Sequence, residues 1–191
     1  MHRVLVLGAG KIGSLIACLL AQRGAYEVHL GDISLDATKH LVEDLGLERV
    51  TPCILDVRHP DAVSTYLSAN PVDAILSSLP YFCNPTVAGL ALTHRVHYFD
   101  LTEDVEVTNQ IKILSAGATQ AFMPQCGLAP GFISIVAHDL MTHFETLDTV
   151  KMRVGVMDGD VTGSVRRVKA ARAALGYGRH VWRSGEVAGA V

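Results

Sequence analysis

VLVLGAGKIG, residues Val4 to Gly13, joins an apolar run to a glycine-rich turn. Val4, Leu5, Val6 and Leu7 suit a strand buried on both faces of a parallel sheet. Gly8, Ala9, Gly10, Lys11, Ile12 and Gly13 then read as a turn, and Ser14–Arg23 as a helix. Each glycine has a physical task. Gly8 allows a tight exit from the strand, Gly10 lets backbone approach a pyrophosphate, and Gly13 lets the helix pack closely on the strand. Phosphates would meet the N–H groups of this turn, Lys11 and Ile12 included, at the positive dipole end of the helix.

A glycine pattern of this length is a weak signal, so the next segments carry the decision. Tyr26–Gly31 reads as a second strand ending on Asp32, 19 residues after Gly13. A carboxylate there accepts hydrogen bonds from ribose 2′- and 3′-hydroxyls and repels a 2′-phosphate, which favours NAD over NADP. Ile33 follows it along the same rim. The plainer alternative is an exposed turn Asp ahead of Ser34.

Further along, strand and helix alternate. Leu35–Leu45 is an amphipathic helix with Ser34 in the N-cap position and no capping box. Val50–Leu55 is a third strand ending on Asp56, which places Asp56 and Val57 near an adenine rim. Pro60–Ala69 is a helix with Pro in its first turn. Val72–Ser77 is a fourth strand, after which Ser78, Leu79 and Pro80 would pass over the cofactor. Thr86–Thr93 is a small, apolar helix, His97–Phe99 a fifth strand, Val107–Gly117 a helix and Ala121–Met123 a sixth strand. Such alternation predicts an α/β fold, a doubly wound parallel sheet of order 3-2-1-4-5-6 with right-handed crossovers. The domain expectation is 1–124 for dinucleotide binding and 125–191 for part of a second, substrate or dimerisation domain.

Composition agrees. The chain has 191 residues, 49% hydrophobic and 18% charged, with a formal net charge of −3. That balance offers no electrostatic reason for a nucleic-acid or anionic-membrane partner. No apolar run reaches the ~18 residues of a spanning helix, and Met1-His2-Arg3 leads straight into the strand without a signal-peptide pattern. Cys18, Cys53, Cys83 and Cys126 are scattered, without metal-ligand spacing. The expectation is a cytoplasmic protein with reduced thiols and no metal.

Met123–Met141, MPQCGLAPGFISIVAHDLM, adds a more selective element, Gly127-Leu128-Ala129-Pro130-Gly131. Together with VLVLGAGKIG, the LSSLP ending at Pro80 and HYFDLTED at His97–Asp104, it resembles the saccharopine dehydrogenase-like oxidoreductases. Lysine 6-dehydrogenases are the nearer branch and carboxynorspermidine dehydrogenases the more distant one. The resemblance spans roughly Met1 to Val156. It implies NAD(P)-dependent oxidation at the CH–NH group of an amino acid or related amine held between two domains. Independently of family, Pro130 and Gly131 precede a helix over Phe132–His143, whose N–H groups suit a substrate carboxylate. A plain domain-linking turn is the other reading.

Hydride removal from an amine carbon needs the nitrogen unprotonated, so a nearby carboxylate or neutral His takes its proton. Asp100, at a strand carboxyl end, is the first candidate and Glu103 the second; helix capping is the alternative for Asp100. His97 and His138 read as packed or solvated. Cys126 has no base placed beside it, which argues for burial rather than thiolate chemistry. Tyr81 and Asn84 stand at an expected substrate entrance.

The C-terminal part departs from this pattern. Thr149–Val156 alternates like the first strand of a second domain. Asp158–Val191 then carries Arg166, Arg167, Lys169, Arg172, Arg179 and Arg183, with Val165, Val168, Ala171 and Leu175 as a thin apolar face. A truncated substrate domain with a frame-shifted tail is the expectation, against an RNA- or membrane-binding basic arm. Apolar surface uncovered by a partial domain favours a homodimer. A nucleotide-binding module without catalysis is the rival to the enzyme.

Overall fold

Burial along β1 (His2–Leu7) is unbroken from Val4 onward, as a central strand covered on both faces requires. Val4 and Val6 belong to one core, Leu5 and Leu7 to the other. A computed structural model of the chain describes residues 1–44, 46–152, 181–183 and 186–188. It divides into two compact units, Met1–Gly127 and Leu128–Val191.

In the first unit, β1 is joined by β2 (Tyr26–Asp32), β3 (Val50–Ile54), β4 (Ala74–Ser77), β5 (His97–Asp100) and β6 (Phe122–Met123). They form a six-stranded sheet of order β3-β2-β1-β4-β5-β6, parallel throughout. This is the Rossmann order that the alternation predicts. Helices α1 (Lys11–Gln22) and α2 (Leu35–Asp44) share a core with Val28, Leu30 and Val50 on one face. The other face is covered by α3 (Pro60–Ala69), α4 (Asn84–His94) and α5 (Val105–Leu114), which pack Val63, Leu67, Val87 and Ile111 onto Leu5, Leu7, Ile75 and Tyr98. Register levels the carboxyl ends: Leu7 lies beside both Gly31 and Ser77, and Ser77 beside Asp100. All four strand exits therefore open on one edge.

Helix α1 starts at Lys11, a turn earlier than the sequence reading, because Gly10 is already its N-cap with extended backbone. The helix meets the sheet through Gly13, Ala17 and Ala21, while Leu15 and Leu19 stay more than half exposed. Close approach selects small residues over the large apolar ones that periodicity picks out. Gly24 ends the helix at φ 71°, with its N–H on the Ala21 carbonyl at 3.2 Å, as a C′ glycine should. Helix α5 starts at Val105, two residues earlier than expected, because the Asp104 side chain accepts from Val107 N at 2.8 Å and caps it.

The second unit holds α6 (Phe132–Met141), a helix with no fully buried residue, and strands β7 (Val150–Lys151), β8 (Val181–Arg183) and β9 (Glu186–Ala188) in an antiparallel sheet. Ile133, Val136, Leu140, Phe144 and Leu147 line an apolar hollow of about 500 Å³ there. The strand expected over 149–156 is present as β7. Its remainder after Met152, and the expected basic helix with Arg166, Arg167, Lys169 and Arg172, lie outside the described residues.

Candidate dinucleotide site

Gly8 leaves β1 at φ 96°, a conformation that strains any residue with a side chain. Its N–H donates to Gly31 O at 2.8 Å, which keeps the turn on the sheet edge. A Cβ on Gly8 would come within 2.8 Å of the Ser78 carbonyl, and one on Gly13 would clash with the Gly8 carbonyl. Both glycines are thus required by contact. At Gly10, by contrast, a Cβ would meet nothing within 4 Å. That open side, at the start of α1 where the first N–H groups have no partner within the helix, is the space a pyrophosphate fits. Ser14 stiffens the turn by donating its hydroxyl to Ala9 O at 2.8 Å. Lys11 and Ile12 are exposed beside it.

Asp32 closes the far end of the turn. Its carboxylate accepts from Ala9 N at 2.7 Å and from Ser34 N at 3.1 Å, so the acid is oriented against the glycine turn itself. It thus makes the turn bond to Ser34 and also a bond to the glycine turn, which an ordinary turn Asp would lack. Ile33, next to it, is 66% exposed and free to cover a ligand.

At the exit of β3, Asp56 accepts from Arg58 through side chain and backbone, the shortest bond being 2.7 Å from a terminal guanidinium nitrogen. Those bonds hold its carboxyl at about 2. Val57 turns its side chain into the core, leaving only its backbone for the rim.

Across the switch in strand order, residues 78–80 lie on the opposite side of the same turn. Ser78 N donates to Leu7 O at 2.8 Å, and Leu79 packs both on the core and near Gly8. Pro80 is exposed and precedes a 3-10 turn, Tyr81–Cys83. Tyr81 is exposed and meets Phe82 edge-on, with ring centres 5.8 Å apart. The thiol of Cys83 is pushed up by burial and then by the charge of Asp56.

The two candidate acids differ sharply. Asp100 is 0% exposed. One oxygen accepts from Tyr98 Oη at 2.7 Å, and the other from Thr102 N at 2.9 Å and Gln125 N at 3.1 Å. Its own carbonyl accepts from Cys126 N at 2.8 Å. Burial, then the bond to Asp100, pushes the Tyr98 hydroxyl far up, so it stays a donor. Asp100 ties the β5 exit to the chain leaving β6; the expected base has its acceptors committed to protein donors. It is not the cap of α5 either, since Asp104 fills that place. Glu103 is exposed on the loop between them. Cys126 is exposed rather than buried as expected; it donates its thiol to Met123 O at 3.2 Å, and partial desolvation, then the charge of Asp100, pushes the thiol up.

The first unit therefore brings together the turn 8–13, Asp32 and Ser78, with Asp56 at the next strand exit. The substrate candidates divide. Tyr81 stands on this edge, Gly127 is the last residue of the first unit, and Gly131, at φ 127°, is the N-cap of α6 in the second. Ser14, Ser77 and Tyr98 escaped assignment in the sequence reading, whereas Asn84, expected at a substrate entrance, is buried and bonded to Ser77 instead. Among the described residues no group of three or more His, Cys, Asp or Glu is placed to hold a metal ion. Nor is any helix among them long and apolar enough to cross a membrane. The four cysteines are free.

Glycine turn, acid and switch-point loop on a parallel sheet define a dinucleotide-binding domain of the Rossmann type. The family model described as the saccharopine dehydrogenase NADP binding domain matches residues 4–121, and the chain belongs to that family. Among solved structures it is similar to apo saccharopine dehydrogenase (L-Glu forming) from Saccharomyces cerevisiae. Identity there is 21% and the TM-score 0.64, over 75% of this chain and 31% of that one. Scyllo-inositol dehydrogenase from Lactobacillus casei, with bound NAD(H) and scyllo-inositol, gives 16% identity and a TM-score of 0.60, over 93% of this chain and 51% of that one. A myo-inositol dehydrogenase from Corynebacterium glutamicum gives 17% and 0.57, over 92% and 54%. The chain thus spans from about a third to about half of these structures' length. A search of curated proteins found no match.

Proposed function

We propose that the chain is the cofactor-binding part of a nicotinamide-dinucleotide-dependent oxidoreductase acting on the CH–NH group of an amino acid or related amine. The observation that carries the dinucleotide reading is the meeting of three elements at the strand-order switch. These are a turn in which Gly8 and Gly13 have no room for a Cβ, a carboxylate bonded to that turn, and the Ser78 backbone opposite. The amine class rests on family membership. Bound there, the cofactor would accept or give a hydride. The chain's own part is to seat the pyrophosphate on the N–H groups of α1, engage a ribose with Asp32 and screen the site with residues 78–82.

NAD is the preferred cofactor in this reading. The Asp32 carboxylate is bonded in place at the ribose end and repels a 2′-phosphate. The matching family domain is described by NADP, so the choice is a direct test of Asp32. For the amine proton, Glu103 is the exposed carboxylate on the β5–α5 loop, and Asp100 serves that loop as its anchor.

Fluorescence titration with NADH and NADPH tests binding, and absorbance at the reduced nicotinamide band, with NAD and lysine or related amines, tests turnover. Tight NADH binding with amine-dependent reduction supports the proposal; failure to bind either nucleotide removes it. A second reading, a nucleotide-binding module without catalysis, is favoured by the committed acceptors of Asp100. Binding without turnover selects it.

A further inference from the structure

Ser77 and Asn84 are both 1% exposed. They bracket the loop that packs on the glycine turn. Ser77 is the last residue of β4 and Asn84 the first of α4, and the Ser77 hydroxyl donates to Asn84 Oδ1 at 2.7 Å. Residues 78–83 leave the sheet between them and return. Near one end of this loop, the Ser78 carbonyl lies where a Cβ on Gly8 would approach to 2.8 Å, and Ser78 Cβ lies 3.3 Å from the Cβ position of Gly13. At the other, Cys83 feels the charges of Asp56 and Arg58. One short loop therefore packs on the turn after β1 and lies within reach of the charges at the exit of β3.

Asn84 is held from a second direction. Tyr98 Oη, already donating to Asp100, reaches the Asn84 carbonyl at 3.5 Å. Among the described residues no buried side-chain nitrogen or oxygen lacks a partner, so removing one member of this cluster leaves the other unpaired in an apolar surround. The tip of the loop carries Tyr81 and Phe82, both more than half exposed, and gains little anchorage from them. Its position is set at its base.

We propose that the Ser77–Asn84 hydrogen bond is a clasp that holds the Ser78 backbone against the glycine turn and so sets the affinity for the nicotinamide dinucleotide. Both are positioning residues. They act through Ser78, whose carbonyl and Cβ occupy the space that a side chain on Gly8 or Gly13 would need. This proposal rests on the dinucleotide reading of the site.

The test compares the full chain with Ser77→Ala, Asn84→Ala, the double variant and Ser77→Thr. NADH affinity is read by fluorescence titration, amide exchange over residues 78–83 by mass spectrometry, and folding by circular dichroism and thermal melting. Each alanine variant should weaken NADH binding by ~10-fold, the order set by losing one buried hydrogen bond, and speed exchange in the loop. The double variant should lose no more than the weaker-binding single variant, because the two act as one unit. Ser77→Thr keeps the hydroxyl and should restore both readouts. Folded variants that melt lower but bind NADH as tightly as the parent overturn the clasp and leave an ordinary core contact; so do additive losses. Should Asn84→Ala not fold, the contrast between Ser77→Ala and Ser77→Thr decides alone. A parent chain that binds neither NADH nor NADPH overturns the dinucleotide reading and this proposal together, whereas unaffected variants of a binding parent overturn the clasp only.

Discussion

Asp32 shows how much a single side chain can settle. Its carboxylate is spent partly on Ala9 N and Ser34 N, which orient it before any ligand arrives. Replacing it with alanine removes charged hydrogen bonds worth about 1.5–3 kcal/mol each. Asp32→Ala should therefore weaken NADH by at least ~10-fold and erase discrimination against NADPH; paired titrations check this, and an unchanged preference assigns the choice elsewhere. His29 offers a second test. Its ring nitrogen lies 2.6 Å from Tyr66 Oη beneath β2, and burial, then the charge of Arg3, holds its pKa below the ordinary 6.5. The unfolded chain takes up this proton at higher pH than the folded one does. Stability from neutral His29 is then complete above pH 6.5 and falls as pH drops below it. Melting temperatures measured from about pH 7.5 down to about 5.5 should decline, and His29→Gln should flatten that decline. Asp32 was readable from spacing because strand length and turn length fix where β2 ends. His29 was not, since its partner sits on α3, 37 positions away.

Among the elements, α1 and its turn are the most constrained. The Gly8 carbonyl lies so near Gly13 that an added methyl must displace backbone. Gly13→Ala should cost about 1–3 kcal/mol of stability by overpacking and abolish measurable NADH binding, as read by denaturant unfolding and fluorescence; parent-like values would show that the turn yields. The three glycines were legible in the sequence, and so was the helix they introduce. Its first turn was not, because an N-cap glycine looks the same in sequence as a loop glycine. The most buried face of α1 is not set by its largest apolar residues. Ala17 and Ala21 pack on the sheet while Leu15 and Leu19 remain outside, a choice made by helix-to-sheet distance. Helix α5 gives the converse lesson. Asp104 is an ordinary capping residue in sequence, but the preceding Asp100 offered a competing cap until geometry engaged it elsewhere.

Across the whole first unit, the level carboxyl ends of β1, β2, β4 and β5 turn scattered loops into one site. Asp100 ties that edge together, joining β5, the loop at Thr102 and the chain beyond β6 at Gln125. Asp100→Ala leaves two backbone N–H groups without their acceptor and Tyr98 Oη with only the long contact to the Asn84 carbonyl, all in a buried setting. A loss of about 3 kcal/mol or more is expected, measured by urea unfolding. Full stability with lost turnover would instead return Asp100 to catalysis. Sheet order, two-sided burial of β1, the glycine turn and the acid after β2 all followed from the linear pattern. Strand and helix periods, strand lengths and the φ freedom of glycine are local properties, and local properties are written in neighbouring residues. The start of α1, the occupation of Asp100, the partner of His29 and the bond between Ser77 and Asn84 were decided only on folding. Each depends on which groups distant in the chain are brought within hydrogen-bonding distance, and a buried polar atom takes whatever partner the packed structure supplies.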